Sequence, residues 1–320
     1  MGKSCFSKMK NIFLIIIVLF LNNSIVECKG IGGHSGSFLR LGSTAYSMSA
    51  GGGFTAVMDP GFPGYHNPAS LGFLTNRSGS VLNHLLSLDR YLVSASFSTP
   101  LQPTAGIGIG IINAGVNNID GRDASGAPTG SFSTNEYGIL VGFSNRVSDK
   151  ISLGINIKVF FQNLPFDGNL NSRGTGIDAG ILFKQSKNFD LGLSIKNINA
   201  SYTWNTSNIL LENGSTYEDI FPMEISLGFV SRSNQYDIIG DYTFFRSINS
   251  INSNRIRIGG EFKPTNKIFL RAGINDLSPA VGIGLEYSLL KKDDANIDYA
   301  FLLGSVGEGI SHIFTYTLNF

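Results

Sequence analysis

The amino-acid sequence predicts an all-β protein, a transmembrane antiparallel β-barrel of about fourteen strands with an N-terminal hatch or plug segment. Three observations support this prediction. From residue 79 onward, apolar and polar residues alternate with period two, the spacing at which side chains of a strand point to opposite faces. The connections between the alternating segments are short and long in turn, and charged residues keep to one face of each segment.

The alternation is clearest around residue 258. Ile256, Ile258 and Phe262 share one face of that segment, whereas Arg257 and Glu261 share the other. Most such segments approach or exceed the roughly 9–11 residues that a tilted strand needs to cross a bilayer. The predicted strands cover residues 79–88, 90–99, 104–114, 133–145, 150–163, 172–184, 188–197, 223–232, 235–245, 253–263, 267–274, 279–289, 295–304 and 310–320.

The connections favour a membrane barrel over a soluble β-sandwich, which also alternates. Short turns such as 145–150 and 184–188 separate longer connections such as 114–132 and 197–222. Barrels of the bacterial outer membrane have short turns on the periplasmic side and long loops outside. The strands are also longer than the roughly 5–6 residues usual in soluble proteins.

The placement of charge agrees with a lipid-facing apolar surface. A charge at mid-depth on the lipid face costs about 2–4 kcal/mol, so a bilayer keeps charges on the inward face. A soluble sandwich follows the same rule with its faces exchanged, and that alternative stays open. The charged residues opposing the apolar faces are Lys158, Asp178, Lys184, Asp190, Lys196, Glu224, Asp237, Asp241, Arg255, Arg257, Glu261, Arg271, Glu286 and Asp298.

These inward charges nearly balance, which predicts an ion-paired and filled lumen. Opposite charges on one face of adjacent strands can meet. We expect ion pairs among six of them and low ion conductance through the barrel. The six are Asp237, Asp241, Arg255, Arg257, Glu261 and Arg271.

The first 28 residues have the pattern of a secretory signal peptide. Lys3, Lys8 and Lys10 precede an apolar run at 12–21, and a polar stretch follows. A helix that spans a bilayer needs about 20 apolar residues, so this run is too short for a retained anchor. We therefore expect export, with residues 1–28 as the signal peptide.

Cys28 raises the alternative of a lipoprotein, but Glu27 stands where a small residue is expected before a lipidated cysteine. Cleavage near Cys28 or Gly30 would remove both cysteines of the chain, Cys5 and Cys28. The mature protein would then hold no disulfide, no cysteine nucleophile and no thiolate metal site. Charged residues form 15% of the chain, against about 25% in ordinary soluble domains.

The remaining chain divides into a hatch segment at 29–78 and the barrel at 79–320. Residues 44–50 are compatible with a short helix that ends at Gly51, and Asn67 can cap a second short helix. Prolines after Asp59, Phe62 and Asn67 force turns between them. A compact, turn-rich segment ahead of a barrel is best placed inside the barrel or at its periplasmic mouth.

The sequence holds no pattern for catalysis, a cofactor or a metal. The four histidines are scattered, without ligand spacing, and the net charge of +1 with no basic patch gives no support to a nucleic-acid partner. Gly106, Gly108 and Gly110 resemble a phosphate-binding loop only superficially. They lie within a strand, where small inward residues make room. We therefore expect no enzyme activity and no cofactor.

Several motifs resemble the PorV/PorQ family of outer-membrane proteins, which in turn is similar to the fatty-acid transporter FadL. The runs that carry the resemblance are 38–42, 52–57, 65–69, 192–197, 298–300 and 311–312. The resemblance implies a fourteen-stranded barrel with a hatch, to which Phe54, Asp59, Asn67 and Pro68 would belong. His66 and Ser70 depart from the family pattern, where tryptophan and glycine are common.

Three functions remain open. The resemblance to the PorV/PorQ family implies assistance to protein secretion or surface attachment, with components or clients of a type IX-like secretion system as partners. The alternative is FadL-like passive transport of hydrophobic small molecules, and the third is a structural role without cargo. A conduit would have an apolar pocket between hatch and wall, whereas a protein-handling barrel would expose apolar loops. Trp204, in the predicted connection 197–222, can serve such an interface or cap its own barrel.

The C-terminus resembles the signal by which the barrel-assembly machinery recognises its clients. Tyr316, Leu318 and Phe320 occupy alternate positions up to the last residue. We therefore expect that machinery, and the lipid and lipopolysaccharide of a Gram-negative outer membrane, as partners of the mature chain.

Overall fold

The computed structural model describes residues 33–165, 170–207, 214–246, 253–275, 278–290, 293–304 and 309–320. The predicted signal peptide, residues 1–28, and the first residues of the predicted hatch lie outside this described part. Among the described residues no helix is long and apolar enough to cross a membrane.

Fourteen of the strands in the described residues close into one antiparallel barrel. Apart from β8 and β9, each strand pairs with the next strand in the chain, and β1 pairs with β15 to close the barrel. β8 pairs only with the far end of β7, while β9 continues the barrel beside β7. The strands are β1 (Ser78–Leu85), β2 (Arg90–Leu101), β3 (Ala105–Arg122), β4 (Pro128–Ser148), β5 (Ile151–Leu164), β6 (Leu170–Ser186), β7 (Phe189–Asn205), β8 (Thr216–Ile220), β9 (Met223–Arg232), β10 (Tyr236–Arg246), β11 (Ser253–Thr265), β12 (Ile268–Asn275), β13 (Ser278–Leu290), β14 (Asp293–Leu303) and β15 (Ile310–Asn319). The predicted fold class is confirmed.

The outer surface of the barrel is an apolar band, as the alternation predicted. Ile256 and Ile258 are 57% and 52% exposed, whereas Glu261 on the opposite face is 6% exposed. A soluble sandwich would bury this apolar face, so its exposure on every side favours contact with lipid. Exposed apolar residues around the barrel include Val81, Ile109, Ile155, Ile177, Leu227, Val281, Ile297 and Phe314.

The two ends of the barrel differ. At one end, which we call the turn end, short connections such as 149–150, 187–188 and 266–267 join the strands. At the other, the loop end, β3 and β4 run on as a hairpin of 18- and 21-residue strands. The residues between 114 and 132 are therefore mostly strand, and the expected long loop is a projecting β-ribbon.

The predicted connection 197–222 also contains strand structure, which corrects our sequence interpretation. β7 continues to Asn205, but Asn197 and Asn199 have φ angles of 61° and 49°. These left-handed residues interrupt the period-two pattern, so the sequence alone predicts that the strand ends there. Trp204 is 8% exposed and donates a hydrogen bond to Asp219 at 2.9 Å, so it covers its own barrel.

The N-terminal described residues, 33–77, fill the lumen, and we call them the plug. They form a 3-10 helix (Ser37–Arg40), the helix α1 (Ala45–Ser49) and a second 3-10 helix (Pro68–Phe73). The side chain of Thr44 caps α1. The helix α1 contacts β12 to β15, and the second 3-10 helix contacts β2 to β6. The plug therefore reaches across the lumen from wall to wall.

Inward-facing glycines allow the plug to lie against the wall. A Cβ atom added to Gly106 would overlap the carbonyl oxygen of Leu71, and one added to Gly110 would overlap the ring of Phe62. The glycines that alternate with isoleucine in β3 thus let backbone and side chains of the plug pack directly against the wall.

Deleting Phe320 should lower the yield of assembled barrel several-fold. β15 closes the barrel against β1, and the N–H of Arg77 donates to the carbonyl of Phe320 at 3.2 Å. The Phe320 ring also lies 6.3 Å from that of Phe97. Heat-modifiable mobility in gel electrophoresis measures assembly. Phe314→Ala, which removes an exposed aromatic ring within β15, is the matched control, and equal yields of the two variants would contradict the prediction.

Candidate functional site

The lumen has a polar half and an apolar half. Strand residues that face the lumen near the turn end are mostly Ser, Thr, Asn, Asp, Glu, Lys and Arg. Near the loop end they are apolar, although the lumen face of a membrane barrel is ordinarily polar. The buried residues of this apolar half, which we call the loop-end cluster, include Phe38, Leu39, Leu92, Ile112, Leu140, Phe160, Tyr202, Trp204 and Phe221.

Four aromatic rings form the centre of the loop-end cluster. The ring of Phe221 lies 5.0 Å from that of Phe160 and 4.9 Å from that of Tyr202. Phe38 of the plug meets Phe160 edge-on at 6.2 Å. Rings in such arrangements stabilise one another beyond their buried area. The cluster therefore joins plug, wall and the connection between β8 and β9 into one apolar body.

The barrel wall is interrupted beside this cluster. The ladder between β7 and β9 ends at Lys196 and Glu224, and the ladder between β7 and β8 begins at Ser201 and Ile220. On its other side β7 bulges twice against β6. Bulges bend a strand away from its neighbour. Residues 197–200 thus face 221–223 across an opening in the ladder, which we call the wall gap.

A buried ionic network contacts the β7 side of the wall gap. Nζ of Lys158 lies 2.6 Å from Oδ1 of Asp178, and these side chains are 3% and 1% exposed. Lys158 also donates to the side chain of Asn197 at 2.6 Å, and the backbone N–H of Asn197 donates to Asp178 at 2.9 Å. The amide of Asn197 donates to the carbonyl of Pro222 at 3.1 Å, which ties the two sides together.

A cavity of about 480 Å³ lies on the outer side of the wall gap. Phe221 and Ala200 line this cavity and are also part of the loop-end cluster. The backbone N–H of Phe221 donates to the carbonyl of Ala200 at 2.8 Å. The other lining residues are Asn199, Ser201, Glu218, Ile220, Met223 and Arg246. Phe221 and Ala200 thus lie between the apolar interior and this cavity.

The four residues assigned to the hatch all lie in the plug. Phe54 is fully buried, with its ring 4.8 Å from that of Tyr46. Asn67 accepts from the N–H of Ala69 and donates to the carbonyl of Ile181 at 3.0 Å, so it fastens the plug to β6. Pro68 follows it as the first residue of the second 3-10 helix.

Asp59 is buried in the plug, and none of the ion pairs among the described residues includes it. Its carboxylate accepts from the hydroxyls of Thr44 (2.5 Å) and Ser43 (3.4 Å) and from the N–H of Gly61 (3.0 Å). Ser43 also lies 2.8 Å from Nε2 of His66. Asp59 therefore contacts the hydroxyls and not the histidine ring, which departs from a catalytic triad, where the carboxylate orients the histidine.

Of the six charges expected to form ion pairs, the structure brings Glu261 and Arg271 together at 2.6 Å. Arg271 also pairs with Asp298, and Asp237 pairs with Lys263 at 2.8 Å. The sequence predicted Asp298 on the inward face but not in this set of six.

The other three charges contact different groups. Asp241 accepts from the N–H and hydroxyl of Thr55 in the plug, at 3.1 and 2.7 Å. Arg257 donates to Thr243 at 3.1 Å, although Asp241 is its partner across the strands. The guanidinium of Arg255 lies 5.4 Å from the ring of Phe245. Within the described residues no group of three potential metal ligands comes together.

Mild acid should raise the unfolding free energy of the protein relative to that of a variant in which Asn replaces Asp59. Burial raises the pKa of Asp59 to about 6, so the folded state binds this proton more tightly than the unfolded chain. Its stabilising contribution is full below the unfolded pKa and is lost as the pH rises through the folded pKa. Lowering the pH from about 7.5 to about 4.5 should therefore stabilise the parent over Asp59→Asn by about 2 kcal/mol.

Urea unfolding of both proteins at the two pH values measures this difference. Burial holds the pKa of His66 well below its usual range, so His66 contributes with the opposite sign. Both proteins contain His66, and its contribution cancels in the comparison. Parallel pH profiles for the parent and the variant would contradict the prediction.

With the fold and the wall gap described, the chain can be compared with known proteins. No protein-family model and no curated protein sequence matches it. Among solved structures it is similar to the toluene transporter TodX of Pseudomonas putida, with a TM-score of 0.59 and 15% identity over 87% of this chain and 99% of that one. A FadL homologue of Pseudomonas aeruginosa gives a TM-score of 0.58 at 12% identity, over 87% and 98% of the two chains.

The monoaromatic hydrocarbon channel CymD gives the same TM-score, 0.58, at 12% identity, over 87% of this chain and 96% of that one. At these identities the likeness establishes the fold. The chain therefore has the fold of these proteins, an antiparallel β-barrel, with residues 33–77 inside it. Membership of the PorV/PorQ family stays a prediction from the sequence motifs.

Proposed function

We propose that this chain is an outer-membrane protein that passively transports small hydrophobic molecules. The observation that carries the proposal is the loop-end cluster, an apolar half of the lumen that ends at the wall gap and its cavity. A lumen for ions or sugars would be polar throughout, whereas buried apolar and aromatic side chains suit a hydrophobic ligand. Toluene and monoaromatic hydrocarbons, named for the similar structures, belong to this chemical class.

The orientation follows from the two ends of the barrel. Short turns of outer-membrane barrels lie in the periplasm and long loops outside the cell. We therefore place the turn end in the periplasm and the loop end outside. The apolar band then contacts lipid, and the signal expected at residues 1–28 would direct export.

The proposed route leaves the barrel sideways. The plug and the ion pairs of the polar half obstruct a straight passage to the turn end. The polar half also offers an apolar molecule no favourable contacts. A ligand that enters from the loop end meets the loop-end cluster, passes Phe221 and reaches the cavity outside the wall gap. From there it joins the apolar phase of the membrane.

Assistance to protein secretion, which the PorV/PorQ resemblance implies, is the weaker proposal. It requires apolar surface offered to a client on the loops. Tyr202 and Trp204 are instead buried in the barrel's own loop-end cluster. Tyr217 remains exposed on β8, and residues 208–213, which include Ile209, Leu210 and Leu211 of the same predicted connection, lie outside the described residues. The burial of these aromatic residues favours transport of small hydrophobic molecules over assistance to protein secretion.

Closing the wall gap with a disulfide should reduce uptake of a hydrophobic fluorophore several-fold. Ala200 and Phe221 are joined by a backbone hydrogen bond across the gap, so Ala200→Cys with Phe221→Cys places two thiols side by side there. Uptake of N-phenylnaphthylamine is measured in cells that lack other hydrophobic transporters, before and after reduction.

The matched control is Ser194→Cys with Ser226→Cys, a pair already joined in the β7–β9 ladder. Its oxidation should leave uptake unchanged. Uptake by the oxidised gap variant that equals the uptake of the control would reject the sideways route. If neither the parent nor the variants raise uptake above that of cells without the protein, the proposed function itself fails.

A further inference from the structure

A patch of positive charge lies at the turn end of β4 to β9, far from the loop-end cluster. Five cations occupy the described turn-end residues of these strands, against two carboxylates, Asp149 and Asp190. The five cations are Arg146, Lys150, Lys184, Lys187 and Arg232. We call these five side chains, with Phe73 of the plug, the basic vestibule.

Two of the cations gather on one aromatic ring. Nζ of Lys184 lies 4.1 Å from the ring centre of Phe73, and Cζ of Arg146 lies 6.0 Å from it. The face of an aromatic ring attracts cations, which explains why two like charges can lie so near each other. Phe73 is 7% exposed and belongs to the second 3-10 helix. The plug itself therefore forms the floor of the basic vestibule.

The carboxylate nearest to these two cations forms its ion pair with a third cation. Asp190 is the cross-strand partner of Lys184, but its carboxylate binds Arg232 at 2.6 Å. Within the described part of the chain no ion pair joins Arg146 or Lys184 to an acidic side chain. Asp149, Lys150 and Lys187 are exposed at the rim. The vestibule thus keeps an excess of positive charge that a partner can complement.

Position identifies the kind of partner. Arg146 and Lys184 follow Ser144 and Leu182 on the inward face of their strands, both of which are buried. Lipid head groups contact the outward face of a barrel, whereas a soluble partner reaches the mouth of the lumen. The plug closes the lumen behind Phe73, so an anion at this place docks and does not pass.

We propose that the basic vestibule binds an acidic segment of another protein at the turn end of the barrel. Glutamate and aspartate side chains of an extended segment can each approach a different cation of the vestibule. Such electrostatic docking is fast and depends strongly on salt. The proposal uses a different face of the molecule from the proposed transport and does not depend on it.

Binding of a fluorescent ten-residue glutamate peptide tests the proposal. The full chain is placed in nanodiscs of phosphatidylcholine, which leave both ends of the barrel accessible, and fluorescence anisotropy reports binding. Replacing Arg146 and Lys184 together with Gln should weaken binding about tenfold, and added salt should weaken binding to the parent in the same direction. Arg146→Lys with Lys184→Arg keeps the charges and should keep binding.

The control replaces two exposed cations outside the vestibule, Arg122 and Lys267, with Gln, and binding should change less than twofold. Heat-modifiable mobility confirms that each variant is folded. Equal affinities of the vestibule variant and the control would overturn the proposal. The proposal would also be overturned if the protein did not bind the peptide but bound nanodiscs that contain phosphatidylglycerol in a way that depends on Arg146 and Lys184. Lipid would then be the partner.

Discussion

Deleting residues 33–77 should raise the ion conductance of the protein in a planar bilayer by on the order of tenfold. Barrels of eight strands are filled by their own side chains, whereas those of about 16–18 strands leave an aqueous channel. A fourteen-stranded barrel therefore needs added material to be closed, and the plug supplies it. The intact protein should conduct little, because the plug reaches from β2–β6 to β12–β15.

The matched control removes residues 119–132, the outer part of the β3–β4 hairpin. These residues pair only with one another beyond the wall, so conductance should not change. Ion selectivity of the opened barrel should be weak, since the inward charges nearly balance. If the intact protein conducts like an open porin, the plug does not close the lumen and a general diffusion channel becomes the better interpretation.

The strands and their faces could be predicted because they depend on local alternation. Lipid outside the barrel favours apolar residues, whereas the polar lumen favours charged ones. Ile256 and Ile258 therefore lie on the outer face and Glu261 on the inner face. The glycines of β3 gave an equally local signal, small residues that make room. A short-range pattern of this kind can be recognised in the sequence without knowing which strands are neighbours.

The wall gap could not be predicted, because the bulges that form it disrupt the local alternation. Asn197 and Asn199 each adopt left-handed angles, and every bulge shifts the alternation by one residue. A shifted pattern resembles the end of a strand, so the sequence predicts a loop after residue 197. Nothing local indicates that β7 resumes beyond the bulges and carries Tyr202 and Trp204 into the lumen.

The ion pairs were predicted in part, since register is not visible in one strand. Glu261 and Arg271 are direct cross-strand partners on one face and pair as expected. Lys158 lies opposite Gly176, and Asp178 lies opposite Asn156, so their ion pair is diagonal. Alternation identified both as inward but could not select a diagonal partner over a direct one.

Replacing Lys158 with Met should cost about 3–5 kcal/mol of unfolding free energy. The substitution leaves the carboxylate of Asp178, which is 1% exposed, buried without its cation. Arg122→Met is the matched control, because its ion pair with Asp120 is exposed and such pairs contribute little. Urea unfolding can be followed by the fluorescence of Trp204, the single tryptophan. A loss no greater than that of the control would contradict the prediction.

Replacing Lys158 with Met and Asp178 with Leu together should recover much of the lost stability, because no charge is then left buried. Transport should not recover with it. In the double variant Asn197 loses Lys158 as the donor to its side-chain oxygen and Asp178 as the acceptor of its N–H, so its left-handed conformation loses two of its supports. The bulge that keeps β7 apart from β9 should then relax, and N-phenylnaphthylamine uptake should fall although the barrel is stable. Full uptake by the double variant would mean that the ionic network stabilises the barrel without shaping the wall gap.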